Sequence, residues 1–127
     1  MFTTIDHPAI ACYDTATQIE WYCRVLEMKV IARNELTPPT ALVGYITGGT
    51  VIELMPVRVQ EPKPDAHHRW APGLRHLALR VDDFDKAYAK LKSLGVEFIA
   101  EPQAAIGGGK IVSFRDPEGN ELQIVQR

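Results

Sequence analysis

The sequence predicts an α+β fold built from two tandem βαβββ modules, and three observations carry that expectation. Two stretches have the apolar spacing of an amphipathic helix, each follows a short strand bearing a histidine, and the two strand-and-helix units superimpose without a gap. His7 stands seven residues before Asp14, as His76 stands seven before Asp83. The ends of the halves match as well: Gly49-Thr-Val-Ile-Glu53-Leu-Met parallels Gly119-Asn-Glu-Leu-Gln123-Ile-Val, with an offset of 69 at the histidines and 70 at Glu53 and Gln123.

The first helix is expected over 15–26, where Ile19, Tyr22, Cys23 and Leu26 fall at i, i+3, i+4 and i+7. Thr15 with Gln18 has the spacing of a capping box after Asp14. The second is expected over 84–94, with Phe84, Ala87, Tyr88 and Leu91 on one face, Asp82 and Asp83 ahead of it, and Gly95 as a stop. The remaining strands of each half end in a hairpin, turning at Gly48-Gly49 and at Pro117-Glu118-Gly119-Asn120. Pro56, Pro62, Pro64 and Pro72 disfavour regular structure up to Gly73. The chain therefore reads as one domain over 1–127, with module 1 at about 1–57, a connector at about 58–73 and module 2 at about 74–127.

Composition narrows the partner. Net charge is −2 and the 14 Lys and Arg residues are scattered, so neither nucleic acid nor an anionic membrane is favoured and a small molecule is the better expectation. The N-terminal stretch has neither the basic nor the long apolar part of a signal peptide, which makes cytoplasmic placement the expectation. Cys12, on a strand, and Cys23, on the apolar side of the first helix, are expected to be two buried thiols rather than a disulfide or a metal motif.

Strand alternation assigns faces. His7, Ala9 and Ala11 share one side of the first strand, and His76, Ala78 and Arg80 share one side of its counterpart. Leu77, Leu79 and Val81, with Ile52, Leu54, Leu122 and Ile124 of the closing strands, must pack on the helices. The opposite face then carries His7, Glu53, His76 and Gln123. Alanine two residues beyond each histidine leaves room there, which a filled core would not. Four polar groups in such a cavity are costly unless a cation satisfies two imidazoles, a carboxylate and an amide oxygen together. Taken singly, a strand histidine is an ordinary hydrogen-bonded residue and Glu53 an edge-strand acid; recurrence at equivalent positions is what makes a divalent-metal site of them.

These segments, Ile5-Asp-His7-Pro-Ala-Ile-Ala with Trp21-Tyr22-x-x-Val-Leu, Val51-Ile-Glu53-Leu, Gly73-Leu-Arg-His76-Leu-Ala-Leu-Arg-Val-Asp-Asp and Phe114-Arg-Asp-Pro-Glu-Gly-Asn120, resemble the vicinal oxygen chelate superfamily over nearly the whole chain. The resemblance implies a mixed sheet curved around a cavity, a homodimer, and a divalent metal ion (Ni, Co, Mn, Zn or Fe) held at His7, Glu53, His76 and Gln123. The last place is usually Glu, and Gln123 is the main departure. Extradiol dioxygenases and fosfomycin-modifying enzymes depend on that terminal carboxylate, so the pattern is nearer to glyoxalase I and methylmalonyl-CoA epimerase. The epimerase has the same ligand composition with Gln and Glu exchanged between halves. Ala11 and Val57 stand where glyoxalase I tends to have its glutathione anchors, Arg and Asn, which points to a different substrate.

The implied chemistry is a metal-dependent isomerase or lyase acting on a small carbonyl or thioester through an enediolate or enolate. Glu53, the only carboxylate among the four mapped residues, is the expected base, and Glu121, on the same face one rung away, the reserve. The alternative is a non-catalytic antibiotic- or metabolite-binding protein of the bleomycin-resistance type, with Trp70 and the connector lining its cleft. His67, His68 and Trp70 are otherwise expected to be exposed loop residues without a role. Gly107-Gly-Gly109 is expected to be a flexible loop, since no helix follows it to complete a phosphate cradle.

Overall fold

The computed structural model describes residues 1–59 and 72–127. It divides into two compact units, Met1–Pro62 and Lys63–Arg127, and each contains one βαβββ module with its own four-stranded mixed sheet.

In the first unit the elements are β1 (Ala9–Cys12), α1 (Thr15–Val25), β2 (Lys29–Arg33), β3 (Ala41–Gly44) and β4 (Ile52–Pro56). The spatial order is β1-β4-β3-β2, with β1 parallel to β4 and the other neighbours antiparallel. A parallel pair cannot be joined by a tight turn, so α1 and the β2–β3 hairpin form the crossover. Ile19, Tyr22, Val25 and Leu26 are buried with Cys12, Met28, Val43, Ile52 and Leu54, which places the core between helix and sheet as the periodicity requires.

The start of α1 differs from expectation. Asp14 is the cap: its Oδ1 accepts from the Thr17 backbone N–H at 3.0 Å and its Oδ2 from the Thr17 hydroxyl at 2.8 Å. Thr15 is thereby the first helical residue and is buried with Gln18, so the two do not form a capping box. The Asp14 carboxylate stands one residue earlier, where it meets the first-turn amide of Thr17. Cys12 is buried, but Cys23 is only half-buried on the flank of the helix, which corrects the expectation of two buried thiols; both are unbridged.

The second unit repeats the plan with β5 (Leu77–Arg80), α2 (Phe84–Ser93), β6 (Gln103–Ala104), β7 (Lys110–Arg115) and β8 (Glu121–Gln126). Its order is β5-β8-β7-β6, and β5 is parallel to β8. Asp83 caps α2 by accepting from the Lys86 amide at 3.0 Å, and Gly95 follows the helix with φ +74°, a left-handed value that glycine adopts without strain. Phe84 and Leu91 pack with Val112, Phe114, Leu122 and Ile124.

The β7–β8 turn fixes a register. Asp116 Oδ1 accepts from the amides of Glu118 at 3.0 Å and Asn120 at 2.9 Å, while the Asn120 side-chain amide donates to Asp116 Oδ2 at 2.8 Å. Arg115 then pairs with Glu121, and two rungs on Ser113 pairs with Gln123. The Gly107–Gly109 segment lies in the turn between β6 and β7. The Arg127 guanidinium donates to the carbonyls of Ile106 and Gly108 there. His67, His68 and Trp70 lie outside the described residues.

Candidate metal centre

In both units the parallel pair of strands sets the site, and in the same register. Ala9 is opposite Glu53, and Ala78 is opposite Gln123. Each mapped residue of a closing strand therefore faces the small alanine two places beyond its unit's histidine, and one diagonal step separates it from that histidine. In the first unit the Glu53 amide also donates to the Pro8 carbonyl at 2.9 Å, which extends the ladder to the residue after His7.

The result is a contact between two of the mapped residues. His7 Nε2 lies 3.4 Å from Glu53 Oε2, with side chains 35 % and 27 % exposed, so both groups are reachable from solvent. Glu53 is on β4, whereas His7 lies two residues before β1 and His76 one before β5, so neither histidine is on the strand itself as the alternation implied. His7 Nδ1 is 2.8 Å from Asp6 Oδ2. The imidazole thus sits between two carboxylates, and its pKa is raised: the hydrogen bond to Asp6 is the largest cause, desolvation opposes it, and the charges of Glu53 and then Asp6 add to the rise.

The second unit presents His76 at the mouth of β5, exposed, and Gln123 in the middle of β8, buried. Gln123 Nε2 donates to Ser113 Oγ at 3.0 Å. Glu121 occupies the same face two residues earlier, with a carboxylate only 5 % exposed and 3.9 Å from the Arg75 guanidinium. Among the described residues, no three His, Cys, Asp or Glu side chains gather as ligands of one ion; the mapped residues are brought together as pairs, one within each unit.

Do these residues fit a divalent ion? In the first unit they do. Engagement of Nδ1 by Asp6 selects the tautomer whose Nε2 lone pair points toward Glu53, the arrangement in which a carboxylate backs a metal-binding histidine. Without a cation the same geometry is satisfied only by a protonated ring between two acids. In the second unit, an amide whose nitrogen is engaged by Ser113 offers its oxygen, which is a donor suited to the same class of ion.

Asp6, Ser113 and Arg75 were not singled out from the sequence. Asp6 is adjacent to His7 and could have been found as a backing carboxylate. Ser113 follows from counting back from the Asp116–Asn120 turn, since a hairpin closed by Arg115 and Glu121 must place Ser113 opposite Gln123.

A cavity of about 780 Å³ opens elsewhere in the second unit, lined by Phe84, Tyr88, Pro102, Lys110, Gln126 and Arg127 among others. Alternation puts Gln126 on the same face of β8 as Leu122 and Ile124, opposite to Gln123. The cavity therefore lies on the helix side of the sheet and away from Gln123.

The match to known proteins agrees with this architecture. Residues 4–124 fit the model of the Glyoxalase/Bleomycin resistance protein/Dioxygenase superfamily. The chain belongs to that superfamily. An uncharacterized Escherichia coli protein, YaeR, is 31 % identical over 129 residues, covering 97 % of this chain and 95 % of its own. A probable lactoylglutathione lyase of Synechocystis is 21 % identical, covering 94 % and 92 %. Among solved structures, TnmS3, an antibiotic-binding protein from Streptomyces, superimposes with a TM-score of 0.76 at 21 % identity, covering 98 % of this chain and 96 % of its own. Relatives in sequence thus include a protein named as a lyase, while the likeness to the antibiotic-binding protein is one of fold. Among the described residues no helix is long and apolar enough to cross a membrane.

Proposed function

We propose that this protein is a divalent-metal-dependent isomerase or lyase of the glyoxalase or epimerase type, acting on a small carbonyl or thioester substrate. The observation that carries the proposal is the Asp6–His7–Glu53 arrangement, a carboxylate-backed imidazole whose free nitrogen faces a second carboxylate.

His7 and Glu53 within the first unit, and His76 and Gln123 within the second, are the residues that would hold a divalent ion. When bound, it supplies Lewis acidity to a substrate carbonyl and makes the neighbouring C–H more acidic. Asp6 fixes the His7 ring and its tautomer. Glu53 accepts the proton from the carbon beside the carbonyl and returns it to the product, the role of a positioned general base. Glu53 suits this better than Glu121, because its carboxylate is partly exposed beside His7, whereas that of Glu121 is buried against Arg75. Ala11 and Val57 supply neither the guanidinium nor the amide of a glutathione anchor, so the substrate carries its carbonyl on a different scaffold.

The test is metal content with turnover. Protein purified after supply of Ni, Co, Mn, Zn or Fe should carry stoichiometric metal and convert α-hydroxycarbonyl or acyl-thioester probes, and Glu53→Gln should abolish turnover while keeping the native circular dichroism. Full activity in Glu53→Gln removes the assigned base. Protein that binds no metal and retains a tight small-molecule ligand is instead a sequestering protein.

A further inference from the structure

The two closing strands carry different ligand types and different neighbours. Glu53 is opposite Leu42 of β3, a side chain with no hydrogen-bonding group. Gln123 is opposite Ser113 of β7, and donates to its hydroxyl at 3.0 Å in a buried setting, with Ser113 8 % and Gln123 9 % exposed. The asymmetry follows the chemistry of the ligands. A carboxylate has two equivalent oxygens, so either can meet a cation whichever way the group turns. A primary amide has one oxygen and one nitrogen, and half of its orientations present a donor N–H₂ to the ion.

On the reading that Gln123 is a metal ligand, we propose that Ser113 is its positioning residue. By accepting from Nε2 the hydroxyl locks the amide plane with Oε1 directed away from β7 as the end that ligates, and so substitutes for the orientation that a glutamate would not need. Direct cross-strand pairing puts the two side chains on one face within reach of each other, and burial keeps water from competing for the amide nitrogen. Outer-shell hydrogen bonds of this kind alter metal affinity by about 10- to 100-fold.

The test is a double-mutant cycle read as metal affinity, by competition of the intact protein against a chelator for Ni, Co or Zn, with thermal unfolding of the metal-free variants as the folding control. Ser113→Ala should weaken the metal by about 10-fold or more, and Ser113→Thr, which keeps the hydroxyl, should restore it. In a Gln123→Glu background the same Ser113→Ala change should have little effect, because the carboxylate needs no orientation. An equal loss in both backgrounds overturns the proposal, since it marks Ser113 as merely structural. So does unchanged affinity in Ser113→Ala when Gln123→Ala has lost the metal. If Gln123→Ala binds metal as tightly as the unaltered protein, the reading of Gln123 as a ligand has failed, and the role of Ser113 falls with it.

Discussion

His7 Nε2 stands 3.4 Å from Glu53 Oε2 while its other ring nitrogen is held by Asp6 at 2.8 Å. Two acids flanking one imidazole make a pair that is stable either as a protonated ring or as a neutral ring sharing a cation with Glu53. The competition between proton and metal at this pair organises the first expectations.

If the pair helps to hold an ion, saturating metal stabilises the fold by linkage. At a free concentration 100-fold above the dissociation constant the gain is about 2.7 kcal/mol, visible as a raised unfolding midpoint. His7→Ala should remove most of that increment at the same metal concentration. An increment unchanged in His7→Ala would show that the ion is held elsewhere.

The raised pKa of His7 has a definite sign. A basic group whose folded pKa lies above its ordinary 6.5 adds stability that is fully present below that value and is lost as pH rises through the raised one. Metal-free protein should therefore gain from the His7 contacts in mildly acidic solution and lose that gain as pH rises through the raised value. Titration of the His7 ring protons by NMR should give a midpoint above 6.5, and Asp6→Asn should bring it down, because the Asp6 bond is the largest cause. Asp6 is 91 % exposed, so salt should weaken the shift. A midpoint at or below the ordinary value would refute the contact.

How much of this was legible beforehand depends on which physical signal carried it. The repeat of histidine, helix and closing strand was visible because period-2 and period-3.6 patterns survive in a single sequence, and both modules follow them. Alternation assigned faces only; the register that sets Ala9 opposite Glu53 and Ala78 opposite Gln123 is a finding of the structure. Competition between neighbours was less legible: Asp14 and Thr15 are both good caps, and only the backbone angle at Asp14 decides between them. Cys23 satisfies the apolar spacing yet sits at the edge of the buried stripe, where spacing alone cannot grade exposure. Ser113 depended on hairpin register, which the Asp116 hydrogen bonds set.

Core packing gives an expectation independent of any ligand. Phe114 is fully buried, opposite Leu122, with its ring 6.2 Å from that of Phe98. Phe114→Ala should cost about 3–5 kcal/mol, from lost transfer energy and the cavity left behind, measured as a drop in the urea midpoint with little change in slope. A loss below about 1 kcal/mol would mean that the second unit closes over the gap, contrary to a close-packed interior.

Gly109 and Gly119 separate two reasons for a glycine. Both have left-handed backbone, with φ of +91° and +85°. A Cβ at Gly119 would meet nothing within 4 Å, so Gly119→Ala carries only the conformational penalty of about 1–2 kcal/mol. At Gly109 a Cβ would fall 1.8 Å from the Gln126 carbonyl oxygen, and that neighbour is backbone of β8 and cannot swing aside. Gly109→Ala must displace the β7–β8 ladder where it closes, so it should destabilise clearly more than Gly119→Ala and accelerate hydrogen exchange at Lys110 and Gln126. Equal losses at the two positions would show that φ alone, and not the approach of β8, requires glycine at 109.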